Sequence, residues 1–512
     1  MSEEAASKGH RDPGENGLAA CLFLLTLGLY FLGAGGHFYA SDDQQKFEAL
    51  HALLNNGALS WPGGWGVGLH GQRVSWFTLG ASLVMVPGYL LGGALAVFFP
   101  VFSGIDLQKF LISFQNCAIS AGIVTLFFAT VRRLGVAPPR AMYAALALGF
   151  ATILWPYAKT SWSEPCATLF LLAGALSLWK QTKGSSPSVF RGAFFGGVFF
   201  ALAVSIRLEY ILAVGGMLLA ATRARDEVFP RKISVLAAWL LPIGVGLAVH
   251  GVYEWLRYGN ILELQNYWLP QGHLTGSRAQ RGVENLYLFL LSPNQGIVWY
   301  SPLLLAGAVG WKEFKRQAPE LARIIFWGMA PLGLFYVLGW GTSTWAWGLR
   351  YGYVFVPFAL LPAAVLLTRA RVRLFHTLTS IGLGVQLLAW PYDFGVLYRH
   401  TLQHQPTESI QLIRLNPNFS PLRLAWDNLP NVFQGASGLR AAPTHPHSIV
   451  QSVRDSRQRW VPDTWWLLYW NAPVPRSLLI SAAFCCFLLI LLSVFCLRTA
   501  IRRCPRGDEH QI

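Results

Sequence analysis

Charge is what this sequence has least of. Only 12% of its 512 residues are Asp, Glu, Lys or Arg, about half of the roughly 25% usual in soluble domains. At the same time 54% are hydrophobic and the mean hydropathy is +0.41. A soluble globular fold is excluded, and the chain reads as a multi-span membrane protein. Acidic residues are scarcer than basic ones, 24 against 40, which leaves a formal charge of +16. The basic residues fall in short clusters between hydrophobic runs and form no contiguous face. They read as topology signals and contacts to lipid headgroups, with no nucleic acid implied. The seven cysteines (Cys21, Cys117, Cys166, Cys485, Cys486, Cys496, Cys504) lie in hydrophobic runs or the C-terminal tail and none in the long polar segments, so neither a disulfide framework nor a Cys-based zinc site is indicated. The twelve histidines show no ligand spacing. The first apolar run is too long for a secretory signal peptide and reads as an anchored first span. No internal repeat stands out, which weakens the case for an inverted-repeat transporter.

What is present is a series of apolar runs of about the length a bilayer needs. Candidate spans lie at roughly 18–40, 109–131, 141–157, 165–180, 192–206, 208–222, 233–256, 294–310, 322–340, 351–368, 373–391 and 475–497. Arg132, Arg133 and Arg140 form a basic cluster; others surround Lys180 and Arg191, Arg223 and Lys232, Lys312 and Arg316, Arg369 and Arg373, and Arg498 and Arg506. With all six on the cytoplasmic side, the spans alternate with the N-terminus inside. Counting Trp76 to Phe102 as a crossing would put the clusters outside, so that stretch, interrupted by Pro87 and Pro100, is expected to be interfacial or re-entrant. The expected architecture is an all-α polytopic membrane protein with about 12–13 transmembrane helices, amphipathic helices on the outer face and a small C-terminal outer segment. Its parts are a cytoplasmic tail 1–17, a membrane domain 18–391 with a first outer loop 41–75, a non-cytoplasmic segment 392–474, a last span 475–498 and a cytoplasmic tail 499–512.

The outer segments carry the residues that suit chemistry. Ser41-Asp42-Asp43 follows the first run, and Phe47, Leu50, Leu53 and Leu54 then recur at helical spacing, with Gln45, Lys46, Glu48 and Asn55 polar. This predicts an amphipathic helix of about three turns on the membrane surface, stopped by Asn56-Gly57. Both carboxylates fall at its N-terminus, where the dipole and free amides stabilise them; two are more than one cap requires. Glu164 precedes Pro165, so it either caps the helix that Pro165 begins or contacts a ligand. Arg207 is two residues from Glu209, so it either fixes the turn or serves a function, as an ionisable residue at a span end demands. Arg350 ends a Trp-rich loop that includes Trp345 and Trp347, and Tyr267 lies in the longer segment 257–293 with other aromatic, amide and basic groups.

The order of several motifs resembles the GT-C superfamily of integral membrane glycosyltransferases, most closely the protein mannosyltransferase and aminoarabinose transferase branch. They are the Asp-bearing first outer loop, Gly80-Ala81-Ser82-Leu83 to Val86-Pro87-Gly88-Tyr89, Ser292-Pro293-Asn294-Gln295-Gly296 to Tyr300-Ser301-Pro302, and Trp345-Ala346-Trp347-Gly348-Leu349-Arg350-Tyr351. The likeness covers about residues 18–370. It implies a GT-C-like fold and a polyprenyl-phosphate-linked sugar donor. A carboxylate in the first outer loop, Asp42 by position with Asp43 as the neighbouring candidate, would take the proton of an acceptor hydroxyl that attacks the anomeric carbon with inversion. The departing lipid phosphate calls for cationic stabilisation, for which Arg350 and Arg207 are the candidates. Glu164, Trp345, Trp347 and Tyr267 are the further substrate-binding candidates. The acceptor (lipid, polysaccharide or protein) stays open. So does a divalent cation, Mg or Mn, since no dense carboxylate cluster or nearby histidine marks a tight site. The alternatives are a transporter or flippase of lipid-linked sugars and a non-catalytic scaffold of the same fold. Short loops point to a bacterial cytoplasmic membrane with the site facing the periplasm.

Overall fold

The computed structural model describes residues 13–100, 102–181, 188–222, 229–262, 278–340, 346–368, 371–393, 415–434, 462–471 and 475–503. The chain is an all-α polytopic membrane protein: among the described residues, eight helices are long and apolar enough to cross a membrane. Strand structure among these residues is limited to a small hairpin, β1 (Gly66–Val67) against β2 (Arg73–Val74), in the segment 57–78.

The first helix, α1 (Pro13–Gly33), ends seven residues earlier than the hydrophobic run suggests, and residues 34–40 form an irregular linker. It leads into α2 (Ser41–Asn56), which stops at Gly57 as expected. Gly57 adopts φ 62° and its N–H returns to Ala52 O and Leu53 O, a left-handed cap that glycine adopts without steric cost. The polar face expected for α2 is in part packed against the protein. Its buried face includes Asp43, Gln45 and Lys46 as well as Phe47, Ala49 and Leu50, while Leu54 is exposed. The polar groups are accommodated because each finds a partner: Gln45 donates to Gly63 O and accepts from Trp65 N, and Lys46 bridges to another loop.

After the hairpin come α3 (Leu79–Leu83), α4 (Val86–Ala96), α5 (Gly104–Ser113) and α6 (Gln115–Arg133). Glu15 at the start of α1 pairs with Arg132 at the end of α6, so these two helices run antiparallel and share one end of the bundle. At the opposite end, Gly36 packs on the ring of Phe110 in α5. With α6 about 28 Å long, α5 continues beyond the far end of α1. Helix α4 folds back along α5, with Gly88 against Ile112 and Gly92 against Gln108. The apolar residues 79–96, though long enough by composition to cross, thus pack at the end that carries α2.

Next are α7 (Pro138–Phe150), α8 (Leu154–Ala158), α9 (Ser163–Gln181), α10 (Ser188–Ile206), α11 (Ile211–Thr222), α12 (Phe229–Tyr258) and α13 (Arg278–Leu290). The run expected as one span at 294–310 is divided into α14 (Ile297–Tyr300) and α15 (Leu304–Gln317), because Pro302 lacks the N–H that would continue the ladder. Then follow α16 (Pro319–Phe335), α17 (Phe355–Ala364), α18 (Val372–Ala389), α19 (Pro421–Gln434), α20 (Trp465–Leu468) and a long peripheral helix α21 (Arg476–Arg503). The core runs the length of the bundle. Near the end that carries α2 it becomes aromatic: Tyr157 contacts Trp162 at 4.9 Å and Tyr353 at 5.3 Å, and Tyr300 meets Trp347 edge-on at 5.4 Å.

Candidate active site

The sequence-nominated charges converge. Asp42 lies in the first turn of α2, whose N-cap is Ala40 with no side-chain cap bond, so neither aspartate is used as a cap. Asp42 Oδ2 accepts from Arg350 Nη1 at 2.8 Å, and Arg350 Nε donates to Glu164 Oε1, also at 2.8 Å. The same Glu164 oxygen accepts from Arg207 Nη1 at 2.5 Å. Arg207 Nε reaches Glu209 Oε1 at 2.6 Å, and Tyr336 OH donates to that oxygen at 3.0 Å. One chain of ion pairs, extended by the Tyr336 hydrogen bond, therefore ties α2, the N-terminus of α9, the α10–α11 turn, the end of α16 and the segment before α17. Arg207 fixes its own turn through Glu209 and also joins the cluster through Glu164. Glu164 engages two guanidinium groups in addition to lying in the first turn of α9.

The geometry separates the two aspartates. The Asp42 side chain retains 23% exposure. Asp43 is wholly buried and bound at 2.9 Å to Lys46 Nζ, which also donates to Ser161 O at 2.8 Å. Lys46 thereby joins α2 to the loop that presents Glu164. Burial pushes the Asp43 carboxyl above its usual range, against the pull of Lys46 and Arg350. For Glu164, ahead of the span read from 165, burial acts in the same direction but is outweighed by Arg350, Arg207 and Lys46, which hold it below the ordinary carboxylate value. The sign differs because Glu164 faces two arginines at hydrogen-bond distance while Asp43 faces one lysine.

Aromatic faces surround the arginines. The Arg350 guanidinium lies 4.3 Å from the Trp162 ring centroid, and Arg207 lies 5.1 Å from that of Tyr351, which stacks on Tyr336. Such placement holds the planar guanidinium while leaving its edge for hydrogen bonds. Gly348 makes the approach of this segment possible. It sits at φ +72°, and an added Cβ would come within 2.5 Å of the Tyr300 ring. Trp347 is buried against Tyr300 in the core beneath the site, so its contact is with the protein. Trp345 and Tyr267 lie outside the described residues.

Four carboxylates (Asp42, Asp43, Glu164, Glu209) meet three cations (Lys46, Arg207, Arg350) in this cluster, one negative charge in excess. A divalent cation would need several converging oxygen donors, yet among the described residues no group of three His, Cys, Asp or Glu side chains could hold one. The carboxylates are instead distributed along the arginines. Sequence reasoning overlooked Lys46, read as part of a polar face, Tyr336, read within the span 322–340, and Trp162. A lysine three residues after an aspartate on one helix was the available signal for the first.

In comparison with solved structures, the chain is similar over 95% of its length to the crystal structure of ArnT from Cupriavidus metallidurans bound to undecaprenyl phosphate, of which it covers 77%, with 13% identity and a TM-score of 0.47. It is also similar over 88% of its length to the apo Archaeoglobus fulgidus oligosaccharyltransferase, of which it covers 64%, with 12% identity and a TM-score of 0.42. No protein-family model matches the sequence, and the search of curated proteins found no match.

Proposed function

We propose that this protein is a membrane glycosyltransferase of the GT-C type, transferring a sugar from a polyprenyl-phosphate carrier to an acceptor hydroxyl at the non-cytoplasmic face. The observation that carries this reading is the partly exposed Asp42 carboxylate held by Arg350, itself anchored on buried Glu164. A general base must be reachable by the acceptor and fixed in direction, and of the two aspartates Asp42 meets both conditions. It takes the acceptor proton as the acceptor oxygen bonds to the anomeric carbon. The bond from that carbon to the phosphate oxygen breaks on the opposite face, and its electron pair leaves with the phosphate. Attack and departure on opposite faces invert the configuration.

Arg350 is the group assigned to the developing phosphate charge. Nε and Nη1 are engaged by Glu164 and Asp42, and among the described residues Nη2 has no hydrogen-bond partner, so the guanidinium can meet an anion without giving up its anchor. A fixed donor of this kind stabilises charge as it forms, without reorganisation. Arg207, paired with both Glu164 and Glu209, orients this assembly, and Asp43 with Lys46 fixes the base-bearing helix turn. The exposed and the buried aspartate of the pair thus have separate tasks.

The test is consumption of polyprenyl-phosphate-linked sugars by the purified protein in detergent, where no transmembrane gradient exists. Turnover that disappears in Asp42→Asn, with undecaprenyl phosphate still bound, supports the assignment. Normal turnover in Asp42→Asn removes Asp42 as the base. Carrier binding by the unaltered protein without turnover of any donor would point to a transporter or scaffold.

A further inference from the structure

A second buried polar cluster stands beside the first and belongs to none of the pairs above. Its centre is Asp463, whose carboxylate is shielded from solvent, in the short outer segment 462–471. Oδ1 lies 2.8 Å from His37 Nε2; Oδ2 accepts from Tyr39 OH at 2.5 Å and from Lys159 Nζ at 3.2 Å. The donors are packed on one another: the His37 and Tyr39 rings stack at 4.5 Å, and Lys159 Nζ lies 5.4 Å from the Tyr39 ring centroid. Their places in the chain are informative. His37 is five residues before Asp42 and Lys159 is five residues before Glu164. One carboxylate therefore holds the two irregular segments that deliver the proposed base and the anchor of Arg350.

The same segment closes the end of α1. Trp465 N donates to Ala34 O at 2.7 Å, Trp465 Nε1 to Phe31 O at 2.9 Å, Trp466 Nε1 to Leu32 O at 3.1 Å and Tyr469 OH to Gly36 O at 3.0 Å. The last carbonyls of a helix have no partner within the helix, and here four carbonyls at and just beyond that end are satisfied by one distant stretch of chain. Asp463 N also donates to Pro391 O at 3.1 Å. The linker 34–40 has no regular structure of its own, so its course toward Asp42 is set by these contacts.

We propose that Asp463 is a positioning residue for the site: by joining His37 and Tyr39 to Lys159, it fixes the distance between the Asp42 turn and the Glu164 loop. The role assigned to that distance rests on the glycosyl transfer proposed above. Arg350 is delivered by the segment before α17 and only anchored on Glu164, so loss of Asp463 is expected to weaken carrier binding far less than the step in which Asp42 acts. A misplacement of about 1 Å at a reacting group costs on the order of 100-fold in rate.

The experiment compares the full-length protein in detergent with Asp463→Asn and, as a milder variant that keeps the buried carboxylate, Tyr39→Phe. Amide hydrogen exchange is followed in segments 37–44 and 158–164, with 353–364 as the reference. Affinity for undecaprenyl phosphate is measured alongside kcat and KM for a lipid-linked sugar. The expected result is exchange at least 10-fold faster in both segments and not in the reference, carrier affinity within about twofold, and kcat lowered about 100-fold in Asp463→Asn and several-fold in Tyr39→Phe with KM little changed. Exchange that rises evenly along the chain, or faster exchange in both segments with kcat unaltered, overturns the positioning role. If the unaltered protein turns over no donor, the transferase reading fails, and the exchange pattern then decides separately whether Asp463 joins the two segments.

Discussion

Replacing Glu164 with Gln tests the ion-pair chain at its centre. A single oxygen of this residue accepts from Arg350 at 2.8 Å and Arg207 at 2.5 Å, and the residue is 1% exposed. The substitution keeps nearly the same shape and an acceptor oxygen but removes the charge, leaving two guanidinium groups facing each other across a neutral amide. Breaking a buried ion pair from one side costs about 3–5 kcal/mol; the retained acceptor places this change near 3 kcal/mol. The pH dependence supplies a sharper signature. The arginines hold Glu164 below the ordinary carboxylate value of 4.5, so the folded state favours its ionised form. That contribution is complete above the unfolded value and is lost as pH falls through the lowered folded one. Unfolding of the two proteins in the same detergent, followed from pH 7 down to pH 3, should show the greatest difference at neutral pH and convergence in acid. Transfer activity should fall about 100-fold through misplacement of Arg350. A constant difference in stability over the whole pH range, or none at pH 7, would refute the account of Glu164 as the shared anion.

The remaining predictions concern single groups. Asp43→Asn should reveal the opposite pH behaviour: burial raises the Asp43 carboxyl, so its contribution is present below the unfolded value of 3.8 and is lost as pH rises through the raised folded one, and the stability of the native protein relative to the variant should decline over that interval. Lys46→Met leaves Asp43 buried without its cation and should cost about 3–5 kcal/mol, measured by unfolding in detergent, with turnover lowered through displacement of α2. Tyr336→Phe removes one bond to the Glu209 carboxylate and should cost about 1.5–3 kcal/mol with little effect on carrier affinity. Gly348→Ala requires a left-handed alanine against the Tyr300 ring, a cost of about 1–2 kcal/mol from the backbone with overpacking added; an alanine variant as stable as the native protein would show that this segment is free to shift.

Much of this molecule follows from hydrophobic patterning, because a bilayer requires long apolar helices whatever their partners. Composition alone determined an all-helical membrane protein, and the Asn56-Gly57 stop placed the end of α2. Proximity of charge to span ends nominated Arg207 and Arg350, and the resemblance in motif order added Asp42 and Glu164. The sequence could not tell Asp42 from Asp43, since adjacent residues on a helix point about 100° apart and only packing decides which direction is buried. Nor could it show that Lys46 faces inward, because a lysine enters a protein interior only when a carboxylate and a carbonyl await it, and Ser161 is 115 positions away in the chain. The link from Asp463 to His37 crosses 426 positions. Local propensity carries no trace of such a contact. The tertiary fold alone brings the segment 462–471 down on the end of α1, where unsatisfied helix carbonyls and a buried carboxylate find their donors.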